Sequence, residues 1–183
     1  MRKIIVAEFL TLDGVMEAPE TWQFPFLSDD ISEYIKTGIL ALDAQLLGRV
    51  TYETFAGYWP LQTHNEFGIA DKLNSMPKFV VSTTLERADW NNSTLIKKNI
   101  IEEITKLKQQ PGGDIGITGS ATLVEALMEA DLIDEFQLQV YPLVLGRGKR
   151  LFNEQMDMKG LKLIDTRTFS SGVVALIYQP DRK

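Results

Sequence analysis

Short runs of β-branched and aliphatic residues alternate with stretches of helical period from Ile4 to Ala130, and the chain beyond Phe136 reads as strand. That alternation constrains the fold most. Strand–helix–strand units require a largely parallel sheet with helices packed on its faces, and a run of late strands adds antiparallel members at one end. Residues 4–10 form an apolar strand stopping at Asp13-Gly14. Residues 14–25 have no period and contain Pro19 and Pro25, yet carry Met16, Trp22 and Phe24. A loop with that much apolar surface folds over something. Ser28 opens a helix with Asp29 and Asp30 in its first turn and Ile31, Tyr34, Ile35 and Ile39 on its apolar face. Strands are expected at 44–48, 78–82, 94–96 and 114–118, and helices at 49–55, weakly at 66–74, and from Asn99 to Leu107. A further helix ends near Ala130, with Thr122 and Glu125 at capping-box spacing. Residues 136–141 alternate apolar and polar, which predicts a strand with one less buried face. Strands at 161–169 and 173–178 flank a tight turn at Ser170-Ser171-Gly172.

Composition removes several chemistries. The chain has 183 residues and no cysteine, so disulfide scaffolds, thiolate catalysis and cysteine-based metal sites are excluded. Its one histidine, His64, excludes a multi-histidine metal site, and no metal is expected. Nineteen Lys and Arg stand against 25 Asp and Glu, a net charge of −6, so a broadly basic nucleic-acid surface is not expected. No apolar stretch approaches the roughly 20 residues that cross a bilayer. The reading is one domain over 1–183, cytoplasmic, with no membrane partner.

Two junctions share one design: a strand, a glycine, then a helix start. One is Leu46-Leu47-Gly48-Arg49-Val50-Thr51, the other Ile117-Thr118-Gly119-Ser120-Ala121-Thr122-Leu123. Glycine admits a ligand close to the backbone, and a first helical turn offers unpaired N–H groups to an anion. Arg49 adds a planar cation suited to phosphate. Ligands of open α/β sheets sit outside the carboxyl ends of strands, so two such ends can grip a dinucleotide. Neither junction is a G-x-G-x-x-G or a P-loop, and each glycine alone is equally well read as a packing residue.

The order of motifs resembles the dihydrofolate-reductase-like fold, and within it the reductase half of the bacterial riboflavin-pathway deaminase-reductases and their stand-alone relatives. The residues carrying the resemblance are Thr11-Leu12-Asp13-Gly14, Gly48-Arg49-x-Thr51-Tyr52-Glu53, Phe79-Val80-Val81-Ser82-Thr83, Ile117-Thr118-Gly119-Ser120, and Tyr141-Pro142-Leu143-Val144-Leu145-Gly146-Arg147-Gly148 with Leu151-Phe152. The resemblance implies a three-layer sandwich: a mixed, mostly parallel central sheet with antiparallel C-terminal strands and helices on both faces. It implies NADPH held by Gly48, Arg49, Thr51, Ser82 and Thr83 at the phosphates and adenosine, and by Thr118, Gly119, Ser120, Ala121, Thr122 and Leu123 along the pyrophosphate and nicotinamide. Thr118 stands where the family commonly has a first glycine, and Val15 stands where the riboflavin-pathway enzymes have a lysine. Their phosphorylated substrate is therefore not carried over.

The expected activity is hydride transfer from NADPH to a small, planar, heterocyclic substrate, pterin- or pyrimidine-like, in a homodimer. Asp13 and Glu33 are the candidate catalytic carboxyls, and Asp13, Trp22 and Phe24 the candidate substrate contacts, the two aromatics acting as a lid. His64 reads as an exposed loop residue. The cluster Arg147-Gly148-Lys149-Arg150 reads as a solvated turn or an anion contact. The alternative function is a non-catalytic nucleotide-binding or sensing domain that keeps the cleft without turnover.

Overall fold

The computed structural model describes residues 1–154 and 156–182. Eight strands form one sheet: β1 (Ile4–Thr11), β2 (Ala44–Gly48), β3 (Lys78–Val81), β4 (Ser93–Ile96), β5 (Ile115–Ile117), β6 (Glu135–Tyr141), β7 (Leu161–Thr168) and β8 (Val174–Pro180). Their order is β4-β3-β2-β5-β1-β6-β8-β7. The pairings from β4 through to β6 are all parallel. β8 then pairs with β6, and β7 with β8, antiparallel. The helices are α1 (Asp29–Ala41), α2 (Arg49–Tyr58), α3 (Ala70–Ser75), α4 (Ile100–Gln109) and α5 (Ala121–Glu129). This is the expected α/β sandwich with its antiparallel C-terminal strands. No helix among the described residues is long and apolar enough to cross a membrane.

Strand alternation assigns the helices to layers. Ile4, Val6 and Leu10 of β1 share a face with Leu46, Ile115, Ile117, Phe136 and Leu138, and pack with Ile104, Leu107, Leu123, Val124 and Leu127 of α4 and α5. On the other face, Leu47 and Val80 pack with Tyr52 and Leu73 of α2 and α3, while Tyr141 and Ala175 pack with Ile31 of α1. Connections running toward β4 thus use one face and those returning toward β6 use the other, as a constant crossover hand requires. The chain leaves β2 in one direction and its neighbour β5 in the other. The carboxyl ends of β2 and β5 therefore bound the crevice where open sheets take ligands.

Several local expectations change. The stretch 66–74 is a single 3-10 turn at Glu66–Gly68 followed by α3, because Asn65 and Phe67 sit at left-handed φ and break the helix. Ser120 rather than Thr122 caps α5, so the capping box does not form, and Glu125 instead accepts a hydrogen bond from Asn153 Nδ2. The polar face of β6 is less buried at Glu135 and Gln137, as expected, but closes at Gln139, which is buried. The less buried strand is β7, at the sheet edge. Lys78, read simply as the first residue of a strand, is fully buried. Its ammonium donates to the carbonyls of Leu73, Asn74 and Met76 at the end of α3 and lies 4.1 Å from the Trp90 ring centre. It satisfies the carbonyls that a short helix leaves open at its C-terminus.

Candidate functional site

The two glycine junctions stand side by side because β2 and β5 are sheet neighbours. They interlock. A Cβ at Gly48 would overlap the Ser120 hydroxymethyl group, and a Cβ at Gly119 would overlap Thr51 Oγ1. Each glycine thus makes room for a hydroxyl-bearing residue of the other junction. Gly119 also has φ of +77°, a conformation that side chains disfavour. Ser120 follows at φ of +63° and caps α5, its Oγ accepting from Leu123 N at 3.3 Å. Both helices start at this clasp, from opposite faces of the sheet, so two positive helix ends converge on one crevice.

Of the expected cofactor contacts, Gly48, Thr51, Thr118, Gly119, Ser120, Ala121, Thr122 and Leu123 all fall at this clasp, with Ala121 and Leu123 facing the core and Thr122 exposed. Arg49 is exposed at the start of α2 and donates from Nη1 to Glu53 Oε2 at 2.8 Å. Ser82 and Thr83 lie at the end of β3, beside β2. The Ser82 hydroxyl is committed, accepting from Thr84 N and Leu85 N at 3.2 and 2.9 Å, whereas Thr83 is exposed. Three cations join the rim. Ser82 N donates to Ile96 O, which brings the exposed Lys97 and Lys98 to the same strand ends. Lys149 donates to Thr122 Oγ1 at 3.2 Å, in the first turn of α5. The lysine pair carried a signal the motif reading passed over: two adjacent cations directly after a strand in a parallel sheet.

The other candidates go elsewhere. Asp13 is a tie, not a free carboxylate: it accepts from Thr11 Oγ1 at 2.6 Å, Leu145 N at 3.2 Å and Gly146 N at 2.8 Å, and pairs with Arg150. These bonds, the Thr11 hydroxyl first, hold its pKa down at about 2. Glu33 is exposed on α1 and paired with Lys36 at 2.9 Å, so it is a surface carboxylate. Trp22 is buried, donates from Nε1 to Glu17 O, and stacks edge-on against Tyr141, whereas Phe24 is 55% exposed. The pair therefore does not form a lid; Trp22 is core. His64 is exposed, beside Thr63. A recess of about 700 Å³ lies behind α2 against Tyr52, Asn74 and Trp90 and includes none of the junction glycines.

One residue at the clasp has no counterpart in the motif reading. Glu8 sits in the middle of β1, on the α5 side, and is 4% exposed. Its Oε1 accepts the Gly119 N–H at 2.7 Å. Burial raises its pKa to about 8, against the smaller opposing effect of that hydrogen bond. A single acidic residue inside an apolar strand was the available signal, since such a group is buried only with a reason.

The sheet, its crossovers and the clasp at the strand ends define a class: an α/β sandwich of dihydrofolate-reductase type. Solved structures share this fold. A putative riboflavin biosynthesis protein from Shewanella sp. PV-4 superimposes with a TM-score of 0.78 at 20% identity, covering 98% of this chain and 99% of that one. Dihydrofolate reductase from Enterococcus faecalis, complexed with NADP(H), gives 0.67 at 15% identity, covering 98% and 97%. A family model of the RibD C-terminal domain matches residues 2–175, and the chain belongs to that family. It is 36% identical over 182 residues to YyaP of Bacillus subtilis (strain 168), covering 97% of this chain and 94% of the relative.

The Glu8 shift has a stability consequence. A carboxyl with a raised native pKa leaves stability intact below its unfolded value near 4.5 and erodes it as pH rises toward 8. Glu8→Gln keeps an acceptor for Gly119 and never ionises. Its stability relative to the native chain should rise between pH 5 and 8, by at most about 1.4 kcal/mol per pH unit, and level off above. Urea unfolding at successive pH values measures this; a difference independent of pH would contradict it.

Proposed function

We propose that this protein is an NADPH-dependent reductase that transfers hydride to a small, planar, heterocyclic substrate. The observation that carries the reading is the interlocked pair of glycine junctions at the β2–β5 crevice, where two helix starts and the cations Arg49, Lys97, Lys98 and Lys149 converge. The donor set fits a dinucleotide: glycine faces admit the backbone of a pyrophosphate, helix starts stabilise its charge, and exposed cations at the β3–β4 end suit a 2′-phosphate. Family membership supports a reductase-type chemistry.

In this reading NADPH supplies the hydride, and the chain supplies binding, orientation and exclusion of water. Gly48, Thr51, Gly119 and Ser120 set the cofactor's path through the crevice. Arg49 and Lys97 hold the adenosine phosphate. The substrate lies on the α1 side of the same strand ends, where Phe9 and the amide of Gln139 are register partners. The carboxyls Asp13 and Glu33 take no part, being committed to a turn and to the surface.

The reading includes a homodimer. Edge strand β7 leaves Leu163 and Ile164 46% and 47% exposed, an apolar edge of the kind that proteins ordinarily cover. Sedimentation equilibrium should give twice the chain mass, and Leu163→Lys with Ile164→Lys should shift it to the monomer; a monomer from the outset would remove this part of the proposal.

Titration with NADPH and NADH, followed by tryptophan fluorescence, tests the main claim. NADPH should bind more tightly than NADH. Arg49→Ala should weaken NADPH about tenfold, the loss of one charge-assisted bond, and leave NADH nearly unchanged. Equal weakening of both would move Arg49 off the 2′-phosphate, and binding of neither would overturn the reading.

A further inference from the structure

Among the described residues, Glu8 is the one buried ionisable group at the clasp whose presence the proposed hydride transfer does not itself require. It holds the turn on which that site depends. Gly119 is fixed from two sides: its Cα lies against Thr51, and its N–H is taken by Glu8 Oε1 at 2.7 Å. Together these hold Gly119 at the left-handed φ that lets Ser120 cap α5. Glu8 is 4% exposed, and Oε1 is the oxygen that bonds the turn. A buried carboxyl therefore sits beneath the start of the helix that would face a pyrophosphate.

We infer that Glu8 is a positioning residue of the proposed dinucleotide site, and that it serves as an uncharged carboxyl, compatible with a bound polyanion only while it keeps its proton. The inference rests on the dinucleotide reading above and adds to it a built-in sensitivity to pH.

Among the described residues no cationic side chain is paired with Glu8, and the Gly119 N–H opposes the effect of burial only in part. On its face of the sheet, the neighbouring strands offer Ile117, Phe136 and Leu138. On α4, Lys108 is bound to Asp134 and to the carbonyl of Leu132, and Lys106 pairs with both Glu102 and Glu103 at the surface. On α5, Glu125 is bound by Asn153 and Glu129 is exposed. At the rim, Arg49 is paired with Glu53 and Lys149 reaches Thr122. Among the described residues no cation compensates Glu8, and its proton is retained to about pH 8 because of burial. Once ionised, it competes with a phosphate for the positive start of α5 and repels it directly. By linkage, a bound polyanion must hold the proton on Glu8 more firmly, so binding near pH 8 takes up a proton.

The test is NADPH affinity from pH 6.5 to 9.5 at constant ionic strength, for the native chain, Glu8→Gln and Glu8→Leu. Between pH 7 and 9 the native chain should lose about tenfold in affinity, the limit for one ionisation near pH 8. Glu8→Gln should match the native chain at pH 7 and change less than about twofold over that range. Glu8→Leu, which leaves the Gly119 N–H without its acceptor, should bind more weakly at every pH with an equally flat profile. Calorimetry of the native chain at pH 8, in buffers of different ionisation enthalpy, should record uptake of about half a proton. A pH slope in Glu8→Gln equal to the native one, loss of its binding at pH 7, or no proton uptake would overturn the inference while leaving the dinucleotide reading in place. Failure of NADPH to bind any of these proteins at any pH would overturn both.

Discussion

Close approach of two backbones at the carboxyl ends of β2 and β5 is the constraint around which the rest is arranged. Gly48 makes room for Ser120, and Gly119 makes room for Thr51. Any side chain at either glycine would wedge the junctions apart, and with them the starts of α2 and α5. Because these helices lie on opposite faces of the sheet, their first turns meet only at this edge. A net charge of −6 is no obstacle to a polyanionic ligand there, since the local field is set by two helix ends and a few rim cations rather than by the whole surface.

Elsewhere, carboxylates tie loops down. Asp13 holds the turn after β1 to residues 145 and 146, and Asp30 at the start of α1 accepts from the N–H and hydroxyl of Ser170 in the β7–β8 turn. Asp13 follows a strand end and Asp30 opens a helix, and only Asp13 was a catalytic candidate in the sequence. Hydrogen bonds hold both pKa values down at about 2, the Thr11 hydroxyl first for Asp13 and the Ser28 hydroxyl first for Asp30 with backbone N–H groups adding to them, and mark both as structural acceptors.

Much of the architecture was legible in the sequence because period and punctuation agreed. β-Branched runs, Ser28 before its helix, and glycines after strands gave the layers, the two junctions and the late antiparallel strands. What was not legible depended on tertiary position. Trp22 and Phe24 lie two residues apart in one loop, yet one is buried against Tyr141 and the other is exposed. The strand β6 alternates apolar and polar residues, yet Gln139 on its polar side is buried, and the more open strand is β7. Lys97 and Lys98 acquire a setting only when β4 is placed beside β3. Glu8 was hidden by its neighbours: within Ile4-Ile5-Val6-Ala7-Glu8-Phe9-Leu10 it looked like an interruption of a strand, whereas in the fold it is the group that holds the second junction.

The central claim is that the two junctions act as one dinucleotide clasp. Hydrogen–deuterium exchange, compared with and without NADPH, tests it most directly. Amides in 48–52 and 118–124 should gain protection together, with residues 82–84 and 97–98 following if the 2′-phosphate lies there. Protection confined to one junction, or appearing instead around the recess between Tyr52, Asn74 and Trp90, would contradict it.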